Sequence, residues 1–331
     1  MKQFTPIQLK LLHHLADGLC HSGNALGEAL GISRTAVWKH ITHLTELGLA
    51  IQRIAHQGYQ LEQPMKLLDE QLIRQALMNK NFNKPFHFHL YASIDSTNRF
   101  LKELAPDSLI NICCAETQTQ GRGRFNRHWI SPFGENIYCS SRWELNCCFS
   151  RLSGLSLVVG LAILASLQDS VLQQDIRIKW PNDILWHNKK LAGILIEIIA
   201  ETNGCAQVII GIGINVNTAT HQQSLPDKPW CSLHEITGLY FDRNILVSHL
   251  IWHLDQYLDK FLREGFTAFS QDWAAVDYLH GQFINVLQPS GQISGYACGV
   301  NELGQLCLND NNGIMHYLSS GDTSLRTSSE E

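Results

Sequence analysis

The run from Leu152 to Leu167 is the longest apolar stretch in the chain, and it contains Ser153, Gly154, Ser156 and Gly160. A membrane-spanning helix needs about 20 apolar residues, so this mixed run is too short to cross a bilayer. It is expected instead to be a helix buried in the core of a sizeable domain. The pattern around it fits. Short apolar runs predict strands at His87–Ser93, Ile112–Glu116, Ile137–Trp143, Ile176–Lys179, Gly193–Ile199 and Gln207–Gly211. Helical spacing predicts Thr97–Leu104, Leu152–Leu172 and Asn244–Glu264. Strands alternating with helices predict an α/β domain with a mixed sheet.

The two ends of the chain have other periods. Gln8–Leu15 and Asn24–Leu30 are expected to be short amphipathic helices, and Gly31 breaks the second. Ser33 then stands where an N-cap belongs, and Val37, Ile41, Leu44 and Leu47 line one face of a third helix, Arg34–Leu47. Strands at Leu49–Ile54 and Gly58–Leu61 complete a winged helix-turn-helix. After Gln63-Pro64 a connecting helix is expected at Leu67–Met78. From about Asp277 the helical period stops, and short strands at Gln282–Leu287, Gln292–Val300 and Leu306–Leu308, with turns at Gly291, Gly304 and Gly313, predict a small β-barrel. The expectation is an α+β multidomain protein of 331 residues, divided 1–64, 65–276 and 277–331. The tail Thr327–Glu331 is expected to fray.

In a winged helix the start of the third helix faces the DNA major groove. Here that places Ser33, Arg34, Thr35, Trp38 and Lys39 at the groove, with Arg53 and His56 of the wing near the backbone. The same residues also suit the solvated face of a protein-binding module. Charge argues against tight DNA binding by one copy. Residues 1–64 carry Lys2, Lys10, Arg34, Lys39 and Arg53 against Asp17, Glu28, Glu46 and Glu62, and the whole chain has a formal net charge of −5.

Met1–Lys10 has no apolar signal-peptide region, and none of the ten cysteines forms a C-x-x-C. A cytoplasmic protein with reduced thiols is expected, with no zinc site.

Gly121-Arg122-Gly123-Arg124-Phe125-Asn126-Arg127-His128-Trp129 is too charged to be buried and too glycine-rich for a strand core. Arginine forks suit carboxylate or phosphate, and glycine lets the backbone approach a ligand closely. By itself such a loop is either solvated, or a nucleic-acid contact, or a cover over an anionic ligand. Three blocks follow it: Lys179-Trp180-Pro181-Asn182-Asp183, then Lys190-Leu191-Ala192-Gly193-Ile194-Leu195-Ile196-Glu197, then Gly211-Ile212-Gly213-Ile214-Asn215-Val216-Asn217. On their own, Lys189-Lys190 reads as a charged turn before a strand, Asn182-Asp183 as a turn, and Ser96-Thr97 as an ordinary helix cap.

In this order the four blocks resemble biotin–protein ligases (biotin–acetyl-CoA-carboxylase ligases). With the helix-turn-helix, the resemblance is to the bifunctional bacterial kind that also represses the biotin operon. It implies a central biotin/lipoate-ligase-like domain, an SH3-like C-terminal barrel, and biotin and ATP with Mg²⁺ as substrates. It implies a biotin carboxyl carrier protein as acceptor, operator DNA and a ligand-promoted homodimer as partners. Lys190 is implied to be the catalytic cation, contacting both the biotin carboxylate and the α-phosphate, with Arg124, Asn182 and Asp183 in the active site. Asp183 either holds Mg²⁺ or orients Lys190.

For biotin, the resemblance implies Ser96, Thr97, Asn98 and Gln118 at the ureido ring. Gly121, Arg122, Gly123 and Arg124 come from the loop, and Trp129, Lys190, Gly193, Leu195, Gly211 and Gly213 bound the apolar part. For ATP it implies Arg124, Arg127, Trp129, Lys179, Asn182, Lys190, Asn215, Trp230 stacked on adenine, and Arg326. The loop departs from the family pattern, because Phe125 and Asn126 replace an arginine and a glycine. One cation fewer weakens the expected hold on the adenylate. Asn126 is expected to take the positive φ of the missing glycine. Two rivals stay open: a lipoate or octanoyl ligase on the same scaffold, and a regulator that senses a ligand without chemistry.

Overall fold

The computed structural model describes residues 5–62, 64–105, 107–168, 175–202, 204–219, 229–288, 291–319 and 324–327. The N-terminal unit contains α1 (Pro6–Leu15), α2 (Gly23–Leu30), α3 (Arg34–Glu46), β1 (Ile51–Ile54) and β2 (Gly58–Leu61). Thr5, Ser22 and Ser33 each cap a helix through a side-chain oxygen. Gly31 takes φ +66° and closes α2, so the chain turns at once into α3. Leu11, Leu12, Leu15, Leu26, Val37, Ile41 and Leu44 pack with Tyr59 and Leu61 into a core distinct from the main one, which Phe133 of the central domain also joins.

The expected helix Leu67–Met78 is shorter. α4 (Glu70–Asn79) starts only after Asp69, whose carboxylate caps Gln71 and Leu72. Residues 65–69 are drawn off as an extended tether, because their backbone is bonded to side chains of the central domain. Leu68 N–H donates to Glu116 Oε1 at 2.5 Å, Asn244 holds Leu67 O and Asp69 N–H, and Arg243 Nη2 donates to Lys66 O at 2.9 Å.

The chain then runs β3 (Phe86–Tyr91), α5 (Thr97–Glu103), β4 (Ile110–Ala115), β5 (Ile137–Leu145), α6 (Leu155–Gln168), β6 (Ile176–Lys179), β7 (Asp183–Trp186), β8 (Lys189–Thr202), β9 (Cys205–Ile214), α7 (Leu233–Thr237), α8 (Arg243–Glu264) and α9 (Ser270–Val276). The seven strands make one sheet in the order β3-β4-β5-β9-β8-β7-β6, with only the β3–β4 pair parallel. α6 is apolar all round and buried with α8 in the main core. It starts later than expected. Phe149–Leu152 forms a separate 3-10 turn, and Gly154 at φ +82° lies against the Phe266 ring. α5 packs against β4, β5 and β9 with Leu101, Cys113 and Ile209 in a small separate cluster.

The last five strands, β10 (Phe283–Gln288), β11 (Gly291–Val300), β12 (Leu306–Asp310), β13 (Met315–Leu318) and β14 (Ser324–Thr327), form an antiparallel sheet in the order β13-β12-β11-β10-β14. The expected barrel is not closed among the described residues. β14 pairs with β10 only, which leaves β13 and β14 as opposite edges. The inner face of this sheet (Ile284, Val286, Ala297, Leu306, Leu308, Leu318) joins the main core. No helix among the described residues is long and apolar enough to cross a membrane.

Candidate functional site

Strand alternation builds the floor of the site. Along β9 Ile210, Ile212 and Ile214 enter the main core, so Gly211 and Gly213 lie on the opposite face. In register, Gly213 faces Gly193 of β8, and Gly211 lies between Leu195 of β8 and Ser140 of β5. These glycines leave space that side chains from elsewhere take up. A Cβ on Gly213 would lie 2.5 Å from the Trp129 ring, and one on Gly211 would collide with the Asn98 amide. Above this floor lies a cavity of about 640 Å³.

The cavity's polar end comes from α5. Ser96 caps the helix, so Thr97 and Asn98 of its first turn point to the floor, and all three are buried. Gln118 Oε1 accepts from Thr97 N–H at 2.9 Å, and Thr97 and Ser140 hydroxyls meet at 2.6 Å. The cationic end comes from the hairpin β7–β8. Register sets Asp183 opposite Gly193 and Leu185 opposite Lys190. Lys190 Nζ donates to Asp183 Oδ1 at 2.7 Å and lies 5.3 Å from the centre of the Trp129 ring. Asn182 fixes the hairpin, since its Nδ2 donates to Ile194 O at 2.8 Å. Its Oδ1 accepts from Arg124 Nη1 at 3.4 Å, so the loop arginine is tied to this block.

The loop itself is bent by consecutive left-handed residues, Phe125 at φ +55° and Asn126 at φ +57°. Asn126 thus takes the conformation expected of it. Phe125 takes it too, which is rare for a bulky residue. Trp230 arrives by backbone pairing. Lys190 N–H donates to Pro229 O at 2.9 Å and Cys231 N–H to Lys190 O at 3.0 Å, setting the indole beside the lysine. The indole N–H groups of Trp129 and Trp230 are buried without an acceptor among the described residues. Behind Trp230, burial and the Glu235 charge push the Cys231 thiol up to about 12.

Arg122, Arg124, Arg127, Lys179 and Lys190 line the cavity, and Asp183 is the one carboxylate among the described lining residues. Such a chamber attracts anions. Ser96, Thr97, Asn98, Gln118, Gly123, Trp129, Asn182, Gly193, Leu195, Gly211, Gly213, Asn215 and Trp230, all expected from the sequence, also line it. Gly121 is set behind the wall, where a Cβ would meet Trp129 O and Ser131 Oγ. Arg326 pairs through its backbone with Asn285, and its side chain lies outside the described residues, as do residues 220–228 of the polar stretch before Trp230. Sequence reasoning passed over Ser140 and Asn136, which also line the cavity, and Glu197 behind it. Strand alternation through β5 and β8 was the available signal. Among the described residues no group of three or more His, Cys, Asp or Glu could hold a metal ion.

On the N-terminal unit, Ser33 at the cap of α3 and Arg34, Thr35, Trp38 and Lys39 on its first turns all stand exposed, and Arg53 and His56 are exposed on the wing. Trp38 is 48% exposed, which nothing in the packing of α3 requires.

Comparison with known proteins agrees with this arrangement. Residues 90–215 match the biotin/lipoate A/B protein ligase family, and residues 8–60 match an HTH domain. The solved biotin protein ligase from Aquifex aeolicus in complex with biotin and ATP is 30% identical. It aligns with a TM-score of 0.61 over 73% of this chain and 99% of its own. Fold and cavity are thus those of a ligase of the biotin/lipoate type that carries a helix-turn-helix unit. The bifunctional ligase/repressor BirA of Salmonella typhimurium is 35% identical over 98% of this chain and 98% of its own length. That of Bacillus subtilis is 32% identical over 88% and 90%. The chain belongs to this bifunctional ligase/repressor family.

Proposed function

We propose that the chain condenses biotin with ATP to biotinyl-5′-adenylate and then passes biotin to one lysine of a biotin carboxyl carrier protein. The observation that carries this reading is the cavity itself, with neutral hydrogen-bonding groups at one end and cations, with Asp183 the one carboxylate among the described lining residues, at the other. The neutral end (Ser96, Thr97, Asn98, Gln118) suits an uncharged cyclic urea. The glycine floor under Trp129 suits the thiophane ring and valeryl chain. The cationic end suits a carboxylate meeting a triphosphate.

In the first step a biotin carboxylate oxygen attacks the α-phosphorus, the P–O bond to the β-phosphate breaks, and pyrophosphate leaves. Two anions must approach, so the residues' task is to supply fixed positive charge and orientation. Lys190, held on Asp183, meets both reacting groups. Arg124, tied to Asn182, closes over them. Arg127, Lys179 and Asn215 are assigned to the phosphates and ribose, Trp230 to the adenine, and Arg326 to the phosphates from the C-terminal sheet. In the second step the acceptor lysine amine attacks the mixed anhydride carbonyl, AMP leaves, and the amine loses its proton. Mg²⁺ bound through substrate phosphates needs only one or two carboxylates from the protein, and Asp183 fits that need. When bound, the ion neutralises phosphate charge.

The division 1–64, 65–276, 277–331 assigns operator binding to the first unit and catalysis to the second. Ligand-promoted pairing of two copies would bring two α3 helices to a palindromic operator of biotin-synthesis genes. All ten cysteines are free thiols, which suits a reducing compartment, the cytoplasm.

Biotin-dependent ATP–pyrophosphate exchange tests the reading, with lipoate and octanoate run beside it. Exchange with biotin alone is expected. Exchange with lipoate or octanoate instead would assign a different ligase. Biotin binding without exchange would leave only a sensor.

A further inference from the structure

Glu197 of β8 lies behind the polar end of the cavity, with 16% of its side chain exposed. It gathers three partners. Asn98 Nδ2 donates to Oε2 at 3.0 Å, Arg122 Nη1 donates to both oxygens at 3.2 and 3.3 Å, and Lys102 Nζ lies 3.7 Å from Oε1. A carboxylate is an acceptor only, so at 3.0 Å it is the nearer of the two groups that hold the Asn98 NH₂, the other being Leu195 O at 3.4 Å, and together they fix which way the amide faces. With its NH₂ held on Glu197, Asn98 must turn Oδ1 to the floor above Gly211.

The rest of the chain of bonds follows. Ser140 Oγ donates to Asn98 Oδ1 at 2.6 Å, which uses its one proton, so the 2.6 Å contact between Ser140 and Thr97 has Thr97 as donor. The longer approach of Thr97 Oγ1 to Gln118 Oε1, at 3.1 Å, is then secondary, and Gln118 Oε1 is held by the Thr97 N–H. The directions from Asn98 through Ser140 to Thr97 Oγ1 run from the Glu197 end. The result is a pocket end rich in acceptor oxygen, with the second lone pairs of Asn98 Oδ1 and Gln118 Oε1 and those of Thr97 Oγ1, beside the Ser96 hydroxyl and the Gln118 NH₂, which donates to Ser131 Oγ at 3.4 Å. Such a surface rewards a ligand with N–H donors and rejects one without, because its acceptors would be left buried and unpaired.

We propose that Glu197 is a positioning residue for ligand choice: through Asn98 it makes the inner pocket an acceptor for ligand N–H groups, and through Arg122 it anchors the arginine loop over them. This rests on the biotin reading of the cavity. Glu197 touches no reacting atom, so its removal acts on recognition and not on the adenylation step itself.

The test compares Glu197→Gln, Glu197→Asp and Glu197→Ala with the wild type in pyrophosphate exchange. Each is measured with biotin, desthiobiotin (which keeps the urea) and octanoate (which has no N–H), and with thermal unfolding alongside. The glutamine variant can offer NH₂ in place of carboxylate, which leaves the longer bond to Leu195 O as the one hold on the orientation of the Asn98 amide. It is expected to raise KM for biotin and desthiobiotin together by about tenfold or more, the scale of a lost charge-assisted bond. KM for ATP at saturating biotin should stay within about twofold, and the low octanoate rate should not fall. Aspartate should recover part of the biotin affinity, and alanine should recover none. Biotin KM within twofold of wild type in Glu197→Gln would overturn the proposal. So would a parallel loss for biotin, ATP and octanoate with a lowered melting temperature, which marks a structural role. Absence of exchange in the wild type would instead sink the ligase reading.

Discussion

The guanidinium of Arg243 and the carboxylate of Glu116 meet at 2.6 Å, with both side chains buried. Arg243 also donates to Asn136 O at 3.1 Å, and Asn136 Oδ1 in turn accepts from Val216 N–H at 2.8 Å. Glu116 lies two residues before Gln118. One buried pair therefore joins the tether of the N-terminal unit to two walls of the cavity. Breaking one partner of such a pair costs about 3–5 kcal/mol, because the other charge is left buried. Arg243→Ala is expected to lower the urea midpoint accordingly and to weaken biotin binding. Arg243→Met with Glu116→Gln should cost less than Arg243→Ala. An unchanged midpoint in Arg243→Ala would show that the pair holds nothing.

Lys190 is 30% exposed at its side chain and is not a member of the hydrophobic core, so its loss should leave the fold intact. Lys190→Ala is expected to reduce pyrophosphate exchange by more than about a hundredfold if it carries transition-state charge. Asp183→Asn, which keeps one acceptor for the ammonium, should lose less. Turnover close to wild type at saturating biotin in Lys190→Ala would remove the lysine from the mechanism.

Gly213→Ala puts a methyl 2.5 Å from the Trp129 ring. The ring must move off the floor into the cavity, so the overpacking is relieved by taking up the ligand's space. The biotin dissociation constant, read by calorimetry, is expected to rise by about tenfold or more, while thermal stability changes little because the methyl faces a cavity. Unaltered affinity would mean that Trp129 does not close over the ligand.

How far the sequence carried these residues depends on the length of the signal. Ile176–Lys179 and the buried helix around Val158 stood out because apolar runs have one meaning when they are long or bounded by proline. The strand Asp183–Trp186 did not, and Asn182-Asp183 reads as a turn without it. It has four residues, and the tight turn after it uses His187 at φ +43° and Asn188 at φ +66°, without the glycine that marks most such hairpins. α7 and α9 were too short to show a period. Leu67–Asp69 of the tether looked helical because its partners, Glu116, Arg243 and Asn244, are distant in sequence. The cavity residues were legible through the family blocks, whereas Ser140 lies in none of them, and Glu197, although it ends one, shows its place only through strand register.

Arg124→Gly removes the loop cation tied to Asn182. The adenylate should then leave before the carrier arrives, and biotin should appear on lysines of bystander proteins mixed into the reaction. Phe125→Arg adds a cation at a neighbouring position and should have the opposite effect, slowing adenylate release in a filter-binding chase. If the Arg124→Gly enzyme labels only the carrier protein, the loop does not retain the adenylate.

DNA binding tests the other end of the chain. The N-terminal unit carries nearly balanced charge, with five Lys/Arg against four acids in residues 1–64. One copy should bind weakly at physiological salt, since phosphate contacts supply most non-specific affinity. Two copies joined in a dimer add their half-site energies, each through the exposed first turn of α3. Protection of a palindromic site upstream of biotin-synthesis genes is therefore expected only with biotin and ATP both present. Arg34 is exposed at the start of α3, where its fork can reach a guanine edge or a phosphate. Arg34→Ala should abolish protection while leaving pyrophosphate exchange at its wild-type rate, because the residue is exposed on the N-terminal unit and does not line the cavity. If wild-type protein with both ligands protects no palindromic site, the winged helix is not a biotin-dependent repressor. If Arg34→Ala protein still protects the site, recognition lies on other residues of the wing or of α3.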